Sequence, residues 1–190
     1  ESDRFDDIGD GYHGRMFLEV FSRSFAIKVK TRLSLNQVRL FKGDSRCEFE
    51  ELRLVHETRP IVFQKPGQLD HLTQPSEHNT IGLSIDLTGT YHEIGYRAKQ
   101  NSGLLDLCRT DHYDPGDFWE PVYADEDHPF ILEPESFYLL SSTESISIPP
   151  NYAAEMTAYD TSSGELRTHY AGFFDPGFGY GEDGRLGGVQ

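Results

Sequence analysis

The apolar residues of this chain are grouped into short runs with a period of two, and this pattern constrains the fold more than any other feature. In residues 25–32, three apolar side chains alternate with three basic ones, as in a strand that buries one face. Turns rich in proline and glycine bound such runs, and only residues 102–109 and 152–157 are candidates for short helices. Residues 110–129 are polar and aromatic, which favours a long loop. The other strand candidates are residues 15–21, 33–41, 80–88, 130–132, 137–142 and 145–148.

Many short strands separated by such turns predict an all-β barrel or sandwich. The chain has 190 residues, enough to bury a core, and its 13 Phe and 10 Tyr argue against disorder. No apolar run approaches the roughly 20 residues that a helix needs to cross a bilayer, so no membrane partner is expected. The first residues lack the basic and then apolar regions of a signal peptide, and we therefore expect a cytoplasmic protein.

The net charge of −15 is distributed unevenly along the chain. Residues 1–46 hold nine Lys and Arg against seven Asp and Glu, whereas residues 47–190 hold eight against 25. An acidic body repels polyanions, so nucleic acid is not an expected partner. The first segment could still bind a small anion such as a nucleotide phosphate, or its charges could form a solvated face.

A weak internal repeat links the two ends of the chain. Residues 5–15, FDDIGDGYHGR, resemble residues 174–185, FDPGFGYGEDGR. The first copy leads into an apolar run at Met16, whereas the second is followed only by a short stretch to Gln190. The repeat predicts that residues 1–45 are the C-terminal strands of a first repeat and that residues 46–190 are a second repeat lacking its last strands. We therefore expect a fragment of a longer chain, one that does not fold alone into an active enzyme.

An ordered set of motifs in the second repeat resembles a known family. Each motif is unspecific by itself; in chain order they are 83–87 (LSIDL), 130–134 (FILEP), 137–149 (FYLLSSTESISIP) and 175–178 (DPGF). In that order they resemble the dCTP deaminase branch of the dUTPase-like superfamily, in its double-length form with two copies per chain. The resemblance implies an all-β, dUTPase-like distorted β-barrel with short helical pieces. It also implies a homo-oligomer, similar to a trimer, with active sites between subunits.

The end of the first repeat resembles the catalytic part of that family. Residues 11–14 (GYHG) match its Gly-aromatic-x-Gly turn, and residues 14–19 (GRMFLE) match its Gly-x-x-x-Leu-Glu catalytic strand. The resemblance implies that Glu19 shuttles protons and that Phe17 and Leu18 offer backbone groups to the base. A carboxylate that is partly dehydrated beside the ring has the raised pKa that this task needs. The alternative is a solvated glutamate on a half-buried strand.

The resemblance also implies residues that bind the substrate. Asp175 occupies the family's Asp-Pro-Gly turn beside the sugar and base, with Asp10 a weaker counterpart in the first repeat; Asp before Pro-Gly is also a common turn former. Residues 161–167 (TSSGELR) resemble the Arg-Ser-Ser-x-x-Arg phosphate loop, although Thr replaces the first Arg and the last Arg comes one residue late. A solvated polar loop is the alternative. The phosphate-binding candidates are Ser162, Ser163 and Arg167.

Zinc offers another route to deamination, and the sequence lacks its motifs. Zinc deaminases use His-x-Glu and Pro-Cys-x-x-Cys; neither is present, and Cys47 and Cys108 stand alone. We therefore predict zinc-independent activation of water and no metal held by the protein itself. A Mg²⁺ ion is expected with the nucleotide triphosphate.

The predicted reaction is the hydrolytic deamination of dCTP to dUTP and ammonia, a step of pyrimidine deoxynucleotide synthesis. One alternative is a dUTPase, or a bifunctional deaminase and dUTPase, because residues 10–14 (DGYHG) approach the Asp-x-x-Tyr-x-Gly turn that precedes the dUTPase catalytic strand. Another is that the second repeat is a degenerate, non-catalytic structural or regulatory module, an interpretation that the altered loop at residues 161–167 favours.

Overall fold

The computed structural model describes residues 8–65, 68–69, 75–76, 79–88, 93–124, 129–157 and 172–180. Within these residues, strands outnumber helices, and the predicted all-β class is confirmed. The strands are β1 Ile27–Lys28, β2 Val62–Lys65, β3 Gln68–Leu69, β4 Glu93–Ala98, β5 Leu105–Asp106, β6 Trp119–Tyr123, β7 Tyr138–Leu140, β8 Ser145–Ile146, β9 Ala154–Glu155 and β10 Phe173–Phe174. The helices are α1 Phe49–Thr58 and a 3-10 turn at Pro115–Asp117.

The strands form small sheets that are mostly antiparallel. β4 is the central strand of the order β6-β4-β7, and β2 is central in the order β3-β2-β8. β10 pairs with β9 antiparallel, while β1 pairs with β5 parallel, with Ile27 opposite Leu105. The parallel pair joins the first 45 residues to the rest of the chain. None of the described helices is long and apolar enough to span a bilayer.

Several local predictions were wrong. Within the described residues, 15–21, 33–41 and 130–132 form no strand, because a strand is stable only when a partner accepts its backbone hydrogen bonds. The predicted helices at 102–109 and 152–157 instead contain β5 and β9, each held by a partner distant in sequence. The predicted loop at 110–129 contains the 3-10 turn and β6.

Helix α1 was missed by the sequence analysis although its sequence carries a signal. Arg53 forms ion pairs with Glu50 at 2.9 Å and with Glu57 at 2.6 Å, at spacings of three and four residues that lie on one helix face. Val55 and His56 are buried on another face. Charged residues dominate the sequence of α1, so its few apolar positions show the helical period only weakly.

An aromatic cluster forms the core beside β4 and β6. Phe25, Ala98 and Phe118 are buried together, and the Phe25 ring lies 5.2 Å from Phe118 and 5.0 Å from Trp119, edge to face. Such edge-to-face pairs stabilise a core beyond the area that they bury. We call the residues around Phe25 the aromatic socket; they are Tyr113, Phe118, Trp119 and Phe137.

Candidate active site

The predicted catalytic segment is exposed. Glu19, Phe17 and Leu18 have no strand assignment, and the Phe17 side chain is 92% exposed. Their neighbours in the run are also exposed large apolar residues: Met16, Val20 and Phe21. Because exposed apolar surface of this extent is unusual in a folded monomer, the segment has the character of an interface.

The turn that precedes this segment is built by the predicted Gly-aromatic motif. Gly11 has a φ of +73°, which a side chain disfavours, and Tyr12 N–H donates to the Gly9 carbonyl oxygen at 3.3 Å. The Tyr12 hydroxyl donates to the Arg15 carbonyl oxygen, and a Cβ at Gly14 would lie 2.8 Å from that hydroxyl oxygen. The motif therefore folds the chain back directly before residue 15. Asp10 lies exposed in this turn.

The turn that carries Asp175 is held by hydrogen bonds to Ile148. Phe178 N–H donates to the Asp175 carbonyl oxygen at 2.9 Å, which closes the turn. Gly177 N–H donates to the Ile148 carbonyl oxygen at 3.1 Å, and Ile148 N–H donates to the Phe178 carbonyl oxygen at 2.7 Å. Because Ile148 belongs to the buried stretch 144–149, the turn has a rigid base, while Asp175 itself points to solvent as an exposed residue.

Two of the family-like motifs lie side by side. Thr143 N–H donates to the Ser84 carbonyl oxygen at 2.9 Å, and Ile85 forms a bridge with Ser142. Ser84 N–H in turn donates to the carboxylate Oε2 of Glu144 at 2.8 Å. Glu144 is only 7% exposed, and a buried carboxylate needs such partners. The sequence analysis gave Glu144 no role, and only its place in an otherwise apolar, Ser-rich strand could have indicated burial.

Arg39 links the first segment to the neighbourhood of Asp175. Its guanidinium carbon lies 3.3 Å from the centroid of the Phe173 ring, a cation–π geometry, and Phe173 is two residues before Asp175. The structure therefore brings Arg39 to the start of the Asp175 turn. Ser162, Ser163 and Arg167 lie outside the described residues.

Two further polar clusters lie away from the predicted site residues. Arg97 binds Glu120 at 2.7 Å and also Glu133, at the edge of a cleft of about 380 Å³; the hydrogen bond to Glu120 raises the pKa of its guanidinium. Both carboxylates already occupy the arginine, so this network is structural.

The other cluster is at the boundary between the predicted repeats. The Tyr152 hydroxyl donates to Glu51 Oε1 at 3.0 Å, a hydrogen bond that raises the pKa of Tyr152. Burial, followed by the charge of Glu51, raises the pKa of the Cys47 thiol. Reactive cysteines have a lowered pKa instead. Among the described residues, no group of three His, Cys, Asp or Glu could hold a metal ion.

Comparison with known proteins identifies relatives along the whole chain. The family model described as 2'-deoxycytidine 5'-triphosphate deaminase (DCD), C-terminal domain, matches residues 48–189, and the N-terminal domain model of the same family matches residues 1–44. The curated "dCTP deaminase, dUMP-forming" of Streptomyces avermitilis is 42% identical over 92 residues, which are 45% of this chain and 48% of that protein.

A solved structure is also similar. The 2'-deoxycytidine 5'-triphosphate deaminase of Agrobacterium tumefaciens is 40% identical, with a TM-score of 0.62 over 73% of this chain and 39% of that chain. This chain thus spans less than half the length of either of these relatives. The two coverages of the solved structure, 73% and 39%, also mean that its chain is nearly twice as long as this one.

Proposed function

The chain belongs to the 2'-deoxycytidine 5'-triphosphate deaminase family, and on that premise we propose that the complete protein converts dCTP and water to dUTP and ammonia. The observation that carries the proposal is that models of both domains of this family match successive parts of the chain, residues 1–44 and 48–189. The predicted dUTPase-like β fold agrees with the structural match to a deaminase. The substrate is accordingly a pyrimidine nucleotide.

We further propose the two-repeat organisation, with residues 1–45 ending a first repeat and residues 46–190 forming a second. The order of the two domain models and the near-double length of the solved relative support it. So does the exposed apolar run beside Glu19, because a preceding first repeat would cover it. A homo-oligomer with sites between subunits, acting in the cytoplasm, completes this proposal.

In the proposed mechanism, Glu19 acts on the cytosine ring. Its carboxylate takes a proton from the attacking water as the oxygen bonds to C4, and it passes that proton to N3. It then carries the proton of the new C4 hydroxyl to the amino nitrogen, so that the C4–N bond breaks, ammonia leaves and the C4 carbonyl of uracil forms. Phe17 and Leu18 offer backbone groups to the base on the same segment. Asp10 and Asp175 are proposed beside the sugar, and Ser162, Ser163 and Arg167 beside the phosphates.

A second candidate is a bifunctional enzyme that also cleaves the link between the α and β phosphates. The name of the Streptomyces relative, which is dUMP-forming, favours it, as does the turn at residues 10–14. The products would then be dUMP, ammonia and pyrophosphate from dCTP and two waters. Both candidates use the same deamination step.

A product assay on the complete protein distinguishes these functions. Ammonia without pyrophosphate from dCTP supports the deaminase, and ammonia with pyrophosphate supports the bifunctional enzyme. Pyrophosphate from dUTP, with no reaction of dCTP, would identify a dUTPase. No turnover of either nucleotide would contradict the enzymatic proposals and leave a structural or regulatory module.

We predict that deamination survives removal of zinc. Exhaustive treatment with a zinc-selective chelator, with Mg²⁺ resupplied for the nucleotide triphosphate, should leave the rate of ammonia release unchanged. The reason is that a carboxylate shuttle needs no Lewis acid at C4, and the sequence lacks the ligand spacing of zinc deaminases. A zinc-dependent deaminase treated in parallel is the control. Loss of activity that only Zn²⁺ restores would refute the prediction.

A further inference from the structure

The segment that carries Glu19 is fastened to the second repeat a few residues further along the chain. Phe25 is 8% exposed, although Ala26 and residues 21–23 are exposed. It fills the aromatic socket, whose nearest members are Phe118 and Trp119. A single large side chain that enters a core made by another unit acts as an anchor, because its removal leaves a cavity in that unit.

An ion pair and a strand pair stand beside this anchor. Lys28 Nζ lies 3.2 Å from Asp106 Oδ2, while β1 pairs with β5 through Leu105 N–H, which donates to the Ala26 carbonyl oxygen at 2.9 Å. The Asp106 side chain is 12% exposed. A partly buried pair holds its geometry better than an exposed one.

Asp106 is itself held in place within the second repeat. Its Oδ1 accepts a hydrogen bond from Cys108 N–H at 3.1 Å, and its own N–H donates to the Tyr113 hydroxyl at 2.9 Å. The hydrogen bond from Cys108 and the neighbouring Lys28 lower the pKa of the Asp106 carboxyl. The carboxylate is therefore charged and oriented toward Lys28.

The distance along the chain from this anchor to Glu19 is short. Five residues lie between Glu19 and Phe25, and a fully extended chain over those six steps spans at most about 22 Å. Ser22 shortens it further, because its hydroxyl donates to the Phe25 carbonyl oxygen in a local turn. The location of Phe25 thus limits where the Glu19 carboxylate can lie.

We propose that the second repeat positions the Glu19 segment, with Phe118 and Asp106 as positioning residues that hold Phe25 and Lys28. The inference rests on the proposed function of Glu19. It gives the second repeat a role in catalysis whether or not the second repeat turns over substrate itself. Arg39, stacked over Phe173, holds the end of the same segment to the second repeat.

The first measurement reports position independently of activity. Spin labels at Phe17→Cys and Leu139→Cys, in the complete protein with Cys47→Ser and Cys108→Ser, give the distribution of distances between the Glu19 segment and β7. We expect a narrow distribution that broadens at least about twofold with Phe25→Ala or Asp106→Asn and returns with Phe25→Leu, which refills most of the socket. An unchanged distribution in Phe25→Ala would overturn the proposal, even in a protein without deaminase activity.

The second measurement separates positioning from stability. In the unlabelled protein, Phe25→Ala and Asp106→Asn should lower kcat for dCTP about tenfold with KM within about twofold, because only the reacting geometry is lost. The double variant with Lys28→Met and Asp106→Asn should lower kcat no more than either single variant does. Phe130→Ala removes an edge-to-face contact with Tyr138, and Arg53→Met removes the two surface ion pairs of α1. These two controls should leave kcat unchanged, and an equal loss in them would identify a merely structural effect and refute positioning.

Discussion

Replacing Glu19 by glutamine should abolish dCTP deamination in the complete protein and leave its fold intact. Glutamine keeps the size and the hydrogen-bonding shape of glutamate but cannot take a proton from water or deliver one to the ring. The proton shuttle contributes about 10²- to 10⁴-fold to the rate, so kcat should fall by that factor. The measurement is ammonia release from dCTP at saturating substrate.

The control for this prediction is a glutamate in a comparable exposed setting. Glu155 lies exposed on β9, and Glu155→Gln removes the same charge without touching the Glu19 segment. Both variants should unfold at the temperature of the unchanged protein, because exposed carboxylates contribute little to stability. Activity of Glu19→Gln within a few fold of the unchanged protein would show that Glu19 is not the shuttle.

The exposure of Glu19 sets a condition on this mechanism. A carboxylate that shuttles protons must lie against the reacting ring and be partly dehydrated. The Glu19 segment must therefore be covered when the enzyme is assembled. Exposed apolar side chains surround Glu19, with Phe17 92% exposed, and the proposed two-repeat organisation would cover them. The prediction for Glu19→Gln consequently applies to the complete protein.

The sequence predicted those parts of the fold that depend on local chemistry. The turns at residues 9–12 and 175–180 form where glycine spacing indicated them, since Gly11, Gly177 and Gly179 adopt positive φ. The strand at Tyr138–Leu140 also lies inside a predicted run. The predicted strand at 25–32 shrinks to Ile27–Lys28, because β5 supplies only a short partner. The length of a strand is set by the strand with which it pairs. A local sequence pattern holds no information about that partner.

The candidate site was predictable only as far as its motifs reach. The resemblance brought residues 83–87 and 141–144 into one family pattern, and the structure places them in contact. It could not indicate that Glu144 is buried with Ser84 N–H as a partner, or that Phe25 enters a socket formed far along the chain. Both facts depend on contacts between distant residues, which periodicity within a window of ten residues does not record.

Strand β4 shows most clearly why a sequence pattern does not predict every strand. Residues 93–98, EIGYRA, contain a glycine in the middle of the run, which weakens a strand prediction. The structure explains the glycine: the register between β4 and β6 shifts between Glu93 and Gly95, so a bulge sits at this point. Gly95 has a φ of +154°, a conformation that other residues rarely adopt.

Replacing Gly95 by alanine should therefore destabilise the protein strongly. The added Cβ would collide with the Leu139 carbonyl oxygen of β7, and β4 is the strand that both β6 and β7 need. Relieving the collision means separating β4 from β7 or forcing a strained backbone, at a cost of about 3 kcal/mol or more.

Gly82→Ala is the matched control, since nothing lies within 4 Å of its added Cβ, and it should change stability by less than about 1 kcal/mol. Urea denaturation of both variants measures the difference, and equal midpoints would mean that β4 and β7 do not pair as described.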